Sequence, residues 1–135
     1  MSRRLLLLAM PLLAILLAIP GCPAGQTLAY EKTVNLEPGD VKSFSIDAPK
    51  ANQKIRVETE GAERIDVTVT LESEAEKVKT FLEGKMGGSN PPWLARKTEA
   101  KQHTLEAEVP AGKGFTVILS GANKKTEVKL KVKSI

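Results

Sequence analysis

Cysteine and histidine, the two side chains that most often supply a reactive nucleophile or a transition-metal ligand, each occur once in the 135 residues, as Cys22 and His103. One histidine cannot form a histidine pair, so metal sites and catalytic triads built on these residues are excluded. The serines stand in no G-x-S-x-G motif. We therefore expect no enzyme, no catalytic residue, no bound metal and no cofactor. His103 is expected to be partly exposed at the start of the strand that leads to Leu105.

Cys22 directly follows a segment with the features of an export signal. Arg3 and Arg4 precede an uninterrupted apolar run over residues 5–19, which ends at small residues. This order is typical of a secretory signal peptide. The run is shorter than the roughly twenty residues that a transmembrane helix needs, so residues 1–21 are predicted to be a signal peptide and not a membrane span. Ser2-Arg3-Arg4 also resembles a twin-arginine signal, but the strongly apolar run favours the general secretory route.

The residues Ile19-Pro20-Gly21-Cys22 resemble the lipobox of bacterial lipoproteins, in which an apolar residue and two small ones precede cysteine. Pro20 stands where that family usually carries Ala, Ser, Thr or Val. The resemblance implies that the thiol of Cys22 receives a diacylglycerol and that a peptidase cuts between Gly21 and Cys22. Two or three acyl chains anchor a protein durably, at about 0.8 kcal/mol per buried methylene. Pro23, in place of aspartate, further implies the outer membrane where the organism has one.

Acylation of Cys22 and removal of residues 1–21 would have three consequences for the mature chain. An acylated Cys22 leaves no thiol for a disulfide, so the domain must be stable through its hydrophobic core alone. The formal net charge of +4 loses two units with Arg3 and Arg4, and a nearly neutral domain is not typical of nucleic-acid binding. Residues 22–30, the lipidated cysteine and a stretch without apolar periodicity, are predicted to be a tether.

Residues 31–135 show the alternation of apolar and polar residues that predicts β-strands. The alternation occurs in seven segments, over residues 34–36, 44–48, 55–57, 65–71, 105–109, 115–119 and 128–132. Turn residues such as Pro38-Gly39-Asp40 separate them. An antiparallel, jelly-roll-like β-sandwich of about eight strands is therefore expected. Ser73 and Glu76 form a capping-box pattern, which predicts one short helix near residues 74–83 over an open end or edge of the sandwich.

Four stretches of the sequence carry a resemblance to a known domain: VNLEPGDVKSFSIDAP, IDVTVTLESEAEKVKTFLEGK, LEAEVPAGKGFTVILSG and EVKLKVKS. Together they are similar to the bacterial pre-peptidase C-terminal type of β-sandwich, a jelly-roll-like accessory domain of secreted proteins. Domains of this type generally accompany a catalytic or adhesive partner. The resemblance thus implies a fold for residues 31–135 and no activity.

Three groups of side chains are candidate binding residues. An exposed Trp93 would stack on a sugar or lie at a lipid headgroup, but we expect it to fill the gap between helix and sandwich. Glu72, Glu74 and Glu76 offer oxygens for calcium, but we expect them to complement the positive end of the helix. A set of lysines would contact anionic headgroups or, as we expect, protect a terminal strand from edge pairing; its members are Lys124, Lys125, Lys129, Lys131 and Lys133.

The sequence thus predicts a lipid-anchored, non-catalytic protein of the bacterial cell envelope, facing the periplasm or the exterior, with a binding or scaffolding domain. Its expected partners are the membrane, through Cys22, and an envelope protein or a glycan; no nucleic acid is expected. Two alternatives are a small envelope enzyme or protease inhibitor, and a carbohydrate-binding module. The last requires Trp93 to be exposed beside a concave sheet.

Overall fold

The computed structural model describes residues 28–84 and 91–135. The predicted signal peptide, the cleavage site between Gly21 and Cys22 and the lipidated cysteine lie outside these residues. The described elements, in chain order, are β1 (Ala29–Leu36), β2 (Lys42–Ile46), β3 (Gln53–Leu71), a 3-10 turn (Glu72–Glu74), α1 (Ala75–Leu82), β4 (Ala95–Val109), β5 (Phe115–Ser120) and β6 (Thr126–Ser134). β1 takes in the last two residues of the predicted tether.

The long strand β3 organises an all-antiparallel sheet. Its first half pairs with β6 and its second half with β5, while β4 pairs along its other edge. β1 extends the sheet beyond β6, and β2 extends it beyond β5. The sheet folds over itself where β3 and β4 bend. The first layer contains β1, β6, and residues 53–61 and 102–109; the second contains β2, β5, and residues 65–71 and 95–100. The predicted all-β sandwich is therefore confirmed.

The described residues contain six strands, not about eight. Residues 55–57 and 65–71, predicted as separate strands, belong to the single strand β3. The polar segment between them stays extended because β4 pairs along both sides of the bend, with register shifts between Glu60 and Val67. Gly61 permits a close approach there, since a Cβ atom would lie 3.2 Å from the carbonyl oxygen of Glu127. The interruption of the alternating pattern between these two segments thus marks a bend within one strand and not a turn between two strands.

The two ends of the sandwich differ in what they contain. At the bend end lie the β1–β2 turn, the bends of β3 and β4, and the β5–β6 turn. At the other end, named here the terminal end, the amide of Leu28 donates to Ser134 Oγ at 3.0 Å and the amide of Ile135 donates to the carbonyl of Lys54 at 3.0 Å. The described chain therefore begins and ends at the same end of the sandwich.

The hydrophobic core lies between the two layers and accounts for the stability of a fold without a disulfide. Both layers contribute side chains that are fully buried, including Leu36, Ile55, Ile65, Phe115 and Leu130. Each of these occupies an apolar position of the alternating pattern, and their polar neighbours point outward. The pattern therefore identified the core correctly.

Helix α1 covers the outer face of the second layer. Ile118 points away from the core between its neighbours Val117 and Leu119, yet all three are fully buried, and Val78 of the helix is buried as well. The predicted helix is confirmed, but it lies on a face of the sandwich and not over an end or edge. The predicted capping box is wrong: a 3-10 turn precedes the helix, and its N-cap, Glu74, makes no side-chain cap bond. No helix in the described ranges is long and apolar enough to span a membrane.

Candidate functional site

A shallow polar cleft of about 340 Å³ lies on the first layer, near the bend end. Strand β6 contributes Lys129 and Lys131, which stand opposite Glu60 and Glu58 of β3. The cleft is lined by these four residues together with Thr59, Gln102, His103 and Thr104. A second shallow cleft adjoins it across Lys129 and Lys131 and reaches β1. Together they form a polar surface across four strands, referred to below as the β6 cleft.

The lysines of β6 stand in a mixed field of charge. Lys131 Nζ lies 3.7 Å from Glu31 Oε1, and Lys133 Nζ lies 3.7 Å from Glu58 Oε1. Ammonium and carboxylate groups thus alternate across β1, β6 and β3. A surface of this kind offers donors and acceptors to a polar partner and has no excess charge of one sign.

The expected role of these lysines in protecting an edge is wrong. β6 is the last strand in the chain but not in the sheet, because β1 pairs along one side of it and β3 along the other. The sequence gives the order of strands along the chain, whereas edge position depends on pairing between residues far apart. Lys124 and Lys125 lie in the turn before β6.

Beside the cleft, an ion pair joins β3 to β4. Arg56 donates from Nε and Nη2 to Glu106 Oε2, at 3.1 and 2.8 Å, and Lys54 Nζ lies 3.6 Å from Glu106 Oε1. The hydrogen bonds from Arg56 lower the pKa of the Glu106 carboxyl below its ordinary value of 4.5, and the positive charges of Arg56 and Lys54 add to that effect. Glu106 is therefore held as an anion.

His103 is buried, contrary to the expectation of partial exposure, and it stands in the middle of β4 and not at its start. Its Nε2 lies 2.7 Å from the carbonyl oxygen of Ile65. A carbonyl only accepts, so Nε2 carries the proton and donates. This hydrogen bond joins β4 to β3 just beyond the bend. The opposite residue, Thr59, is also buried, and its Oγ1 has no hydrogen-bond partner among the described residues.

Trp93 lies on the other side of the molecule, next to α1. Its ring is half-buried, with its centroid 6.0 Å from that of Phe81, and the guanidinium of Arg96 lies 5.0 Å from the same ring. This is the position expected for a side chain that fills the space between helix and sandwich. Trp93 does not line the β6 cleft. Its role as a ligand contact stays a prediction.

The sequence did not predict the polar cluster at the bend. Asp66 Oδ1 accepts the amide hydrogen of Glu99 at 2.9 Å, and Asp66 Oδ2 lies 3.9 Å from Arg96 Nη2. Glu99 has a φ of +54°, a conformation that few residues other than glycine adopt. Asp66 thus stabilises the strained backbone next to the bend, where the pairing of β4 with β3 shifts register. In the sequence, Asp66 was only one polar residue among alternating ones.

The acidic residues near the helix lie on consecutive turns. Glu72 and Glu74 belong to the 3-10 turn, Glu76 stands in the first turn of α1, and Glu74 Oε2 lies 3.5 Å from Lys77 Nζ. Carboxylates there complement the helix N-terminus. Within residues 28–84 and 91–135, no group of three His, Cys, Asp or Glu side chains is placed to hold a metal ion.

Comparisons with known proteins identify relatives of the fold only. No protein-family model and no curated protein matches the sequence. Among solved structures, the pre-peptidase C-terminal domain of a Bacillus anthracis collagenase is similar at 14% identity and a TM-score of 0.51, over 78% of this chain and 89% of that one. A periplasmic inhibitor of g-type lysozyme from Aeromonas hydrophila is similar at 12% identity and a TM-score of 0.58, over 87% and 95%.

A mitogen derived from Yersinia pseudotuberculosis is similar at 7% identity and a TM-score of 0.54, over 79% of this chain and 86% of that one. At these identities the likeness concerns the fold. It includes the pre-peptidase C-terminal type of sandwich that the four sequence stretches resemble.

Proposed function

We propose that the chain is a lipid-anchored protein of a bacterial cell envelope whose β-sandwich binds a partner, without catalysing a reaction, through the β6 cleft. The signal-like residues 1–21 and the lipobox-like Ile19–Cys22 support the anchor. Acyl chains on Cys22 would attach the domain to the membrane. This attachment needs no transmembrane segment among the described residues.

The observation that carries this proposal is that only six residues separate Cys22 from the start of β1 at Ala29. Residues 22–28 span at most about 20 Å when fully extended. An acylated Cys22 therefore places the terminal end of the sandwich toward the membrane. The bend end then points away from it, and the β6 cleft opens sideways above the lipid headgroups.

The chemistry of the β6 cleft favours a polar partner. Lys129 and Glu60 stand opposite each other without an ion pair between them in the described contacts, and Gln102 and Thr104 add an amide and a hydroxyl. These groups match the backbone and polar side chains of a protein surface, at which such contacts determine specificity. A glycan usually requires an aromatic platform, and Trp93 lies elsewhere. We therefore favour an envelope protein as the partner.

Photocross-linking in the native envelope tests this assignment. A photoreactive residue at Lys129, in the cleft, is compared with one at Lys113, an exposed lysine in the β4–β5 turn at the terminal end. We expect a discrete cross-linked protein from Lys129 and none from Lys113. Equal products from both positions, or none from Lys129, would contradict binding at the cleft.

The cross-linked products, together with Trp93 fluorescence, separate the alternative functions. A carbohydrate-binding module would shift its Trp93 emission when glycans of the envelope are added to the purified chain, and it would give no protein cross-link from Lys129. A protease inhibitor would cross-link to a protease. Neither outcome bears on the anchor, which the Cys22→Ser variant tests separately: we expect its precursor to stay uncut at Gly21 and unlabelled by radioactive palmitate.

A further inference from the structure

The outer face of the second layer is buried on two of its strands and exposed on a third. Thr68 of β3 stands opposite Ile118 of β5, and Thr116 lies two residues before Ile118 on the same face. All three side chains are fully buried, although they point away from the core. Ser43 and Ser45 of the next strand, β2, share this face and are exposed. Helix α1 packs against β3 and β5, so the buried part of the face is the part beneath the helix.

This covered face contains polar atoms without a partner. Thr68 Oγ1 and Thr116 Oγ1 are buried and have no hydrogen-bond partner among the described residues. The same holds for Nε of Arg96, which pairs with Thr68 across β3 and β4. Thr70 Oγ1, in contrast, donates to the carbonyl oxygen of Pro92 at 3.3 Å. A buried hydroxyl without a partner costs free energy that contact with water recovers. The closed position of the helix therefore carries the cost of two such hydroxyls.

Helix α1 has little stability of its own. It has eight residues, Ala75–Leu82, and no side-chain cap at its N-terminus, and an isolated helix of that length is not stable in water. Val78 is its only fully buried side chain, and Phe81 is half-buried against the ring of Trp93. Within the described ranges, no hydrogen bond or ion pair joins residues 75–82 to a strand. One buried valine and one aromatic contact therefore oppose the cost of the two hydroxyls.

The sandwich itself does not depend on the helix. The strands of the second layer pair with one another in the order β4, β3, β5 and β2, so each keeps its neighbours when α1 is removed. Their core side chains, such as Val69 and Val117, point to the other face. The amide of Glu72 donates to the carbonyl of Gly114 at 2.9 Å and attaches the start of the helical segment to the β4–β5 turn. Loss of the helix contacts thus leaves the sheet, the core and one attachment point intact.

We propose that α1 is a cover that opens while the sandwich stays folded, with the bond between Glu72 and Gly114 as its hinge. Opening exposes the outer face of β3 and β5 and brings the hydroxyls of Thr68 and Thr116 into contact with water. An element with few buried apolar contacts opens in this way at a lower free energy than the whole domain unfolds. The cover lies on the second layer, whereas the β6 cleft lies on the first. It therefore depends neither on binding at that cleft nor on acylation of Cys22.

Thiol labelling without denaturant tests the opening directly. We use the full chain with Cys22→Ala, in which an introduced cysteine is the only thiol, and compare Thr116→Cys with Thr59→Cys. Thr59 is a matched control because its hydroxyl is also buried without a partner among the described residues, but it faces the core opposite Leu130. We expect Thr116→Cys to react about a hundredfold faster, because Thr59→Cys reacts only when the sandwich unfolds.

The dependence of the labelling rates on urea distinguishes local opening from global unfolding. Opening of α1 exposes little surface, so the rate for Thr116→Cys is expected to change little at low urea concentrations, whereas the rate for Thr59→Cys rises steeply. Equal rates with equal urea dependence would mean that the helix leaves the sheet only when the whole domain unfolds, and would overturn the proposal. Circular dichroism of each variant confirms that it is folded.

Amide hydrogen exchange provides a second measurement that needs no cysteine. In the wild-type chain, the amides of α1 are expected to be about a hundredfold less protected than those of β5. Thr116→Val removes a hydroxyl from beneath the helix and should raise the protection of α1 about tenfold, whereas Thr59→Val should leave the protection of α1 unchanged. Equal protection of α1 and β5 in the wild type, or no gain of protection in Thr116→Val, would refute the proposed cover.

Discussion

Substitution of Gly121 tests whether Asp66 determines the bend of the sandwich. Gly121 has a φ of +78°, and a Cβ atom at this position would lie 2.6 Å from Asp66 Oδ2. Gly121→Ala therefore incurs the cost of a left-handed conformation, about 1–2 kcal/mol. It also displaces the carboxylate that accepts the amide hydrogen of Glu99. A hydrogen bond to a charged group contributes about 1.5–3 kcal/mol, of which we take the lower figure because Glu99 is exposed. The expected loss is about 3 kcal/mol.

Two other glycines provide matched controls. Gly39 and Gly112 have φ values of +84° and +75°, and a Cβ atom at either position would meet nothing within 4 Å. Gly39→Ala and Gly112→Ala should therefore cost only the conformational term, about 1–2 kcal/mol. Urea-induced unfolding of the mature chain, followed through Trp93 fluorescence, measures all three variants. If Gly121→Ala is no more destabilising than the two controls, the reasoning about Asp66 is refuted.

Three further predictions concern the ion pair, the aromatic contact and the helix. Arg56→Gln is expected to raise the pKa of Glu106 toward 4.5, as measured by NMR titration of the side-chain carboxyl. In the wild type, the Glu106 carboxylate stabilises the fold at pH values above the pKa that Glu106 has in the unfolded chain. This stabilisation is lost as the pH falls through the lowered pKa of Glu106 in the folded chain. An unchanged pKa would contradict this cause. Phe81→Ala is expected to shift the emission of Trp93 to longer wavelength, because the ring gains contact with water; an unchanged spectrum would argue against the packing described. Val78→Ala removes two buried methyl groups beneath the helix and should cost about 2 kcal/mol in urea unfolding, whereas a loss below about 0.5 kcal/mol would refute its burial.

The alternation of apolar and polar residues was sufficient to predict the fold class. Ile55, Val57 and the other inward residues occupy every second position, so one register satisfies each strand. The helix was equally visible through the spacing of Ala75, Val78 and Leu82. The number of strands was not predictable in this way, because Gly61 and its charged neighbours have the composition of a turn. Pairing with distant strands holds them extended: β4 pairs on both sides of this segment, and β6 pairs with Gly61 itself.

The candidate site depends on pairing order, which local patterns do not contain. Lys129 and Lys131 look like edge residues in the sequence, and only the pairing of β6 between β1 and β3 places carboxylates beside them. The burial of His103 has a similar origin, since its hydrogen-bond partner Ile65 lies 38 residues away. The sequence therefore predicted the chemical character of these side chains. It did not predict which of them come together on one surface.

Mass spectrometry of the mature protein, purified from bacterial membranes, tests whether Cys22 is acylated. We predict that the mature chain begins at Cys22 and carries the mass of a thioether-linked diacylglycerol on that residue, with or without a further acyl group on the amino terminus. An unmodified Cys22 thiol, or a chain that retains residues 1–21, would contradict it.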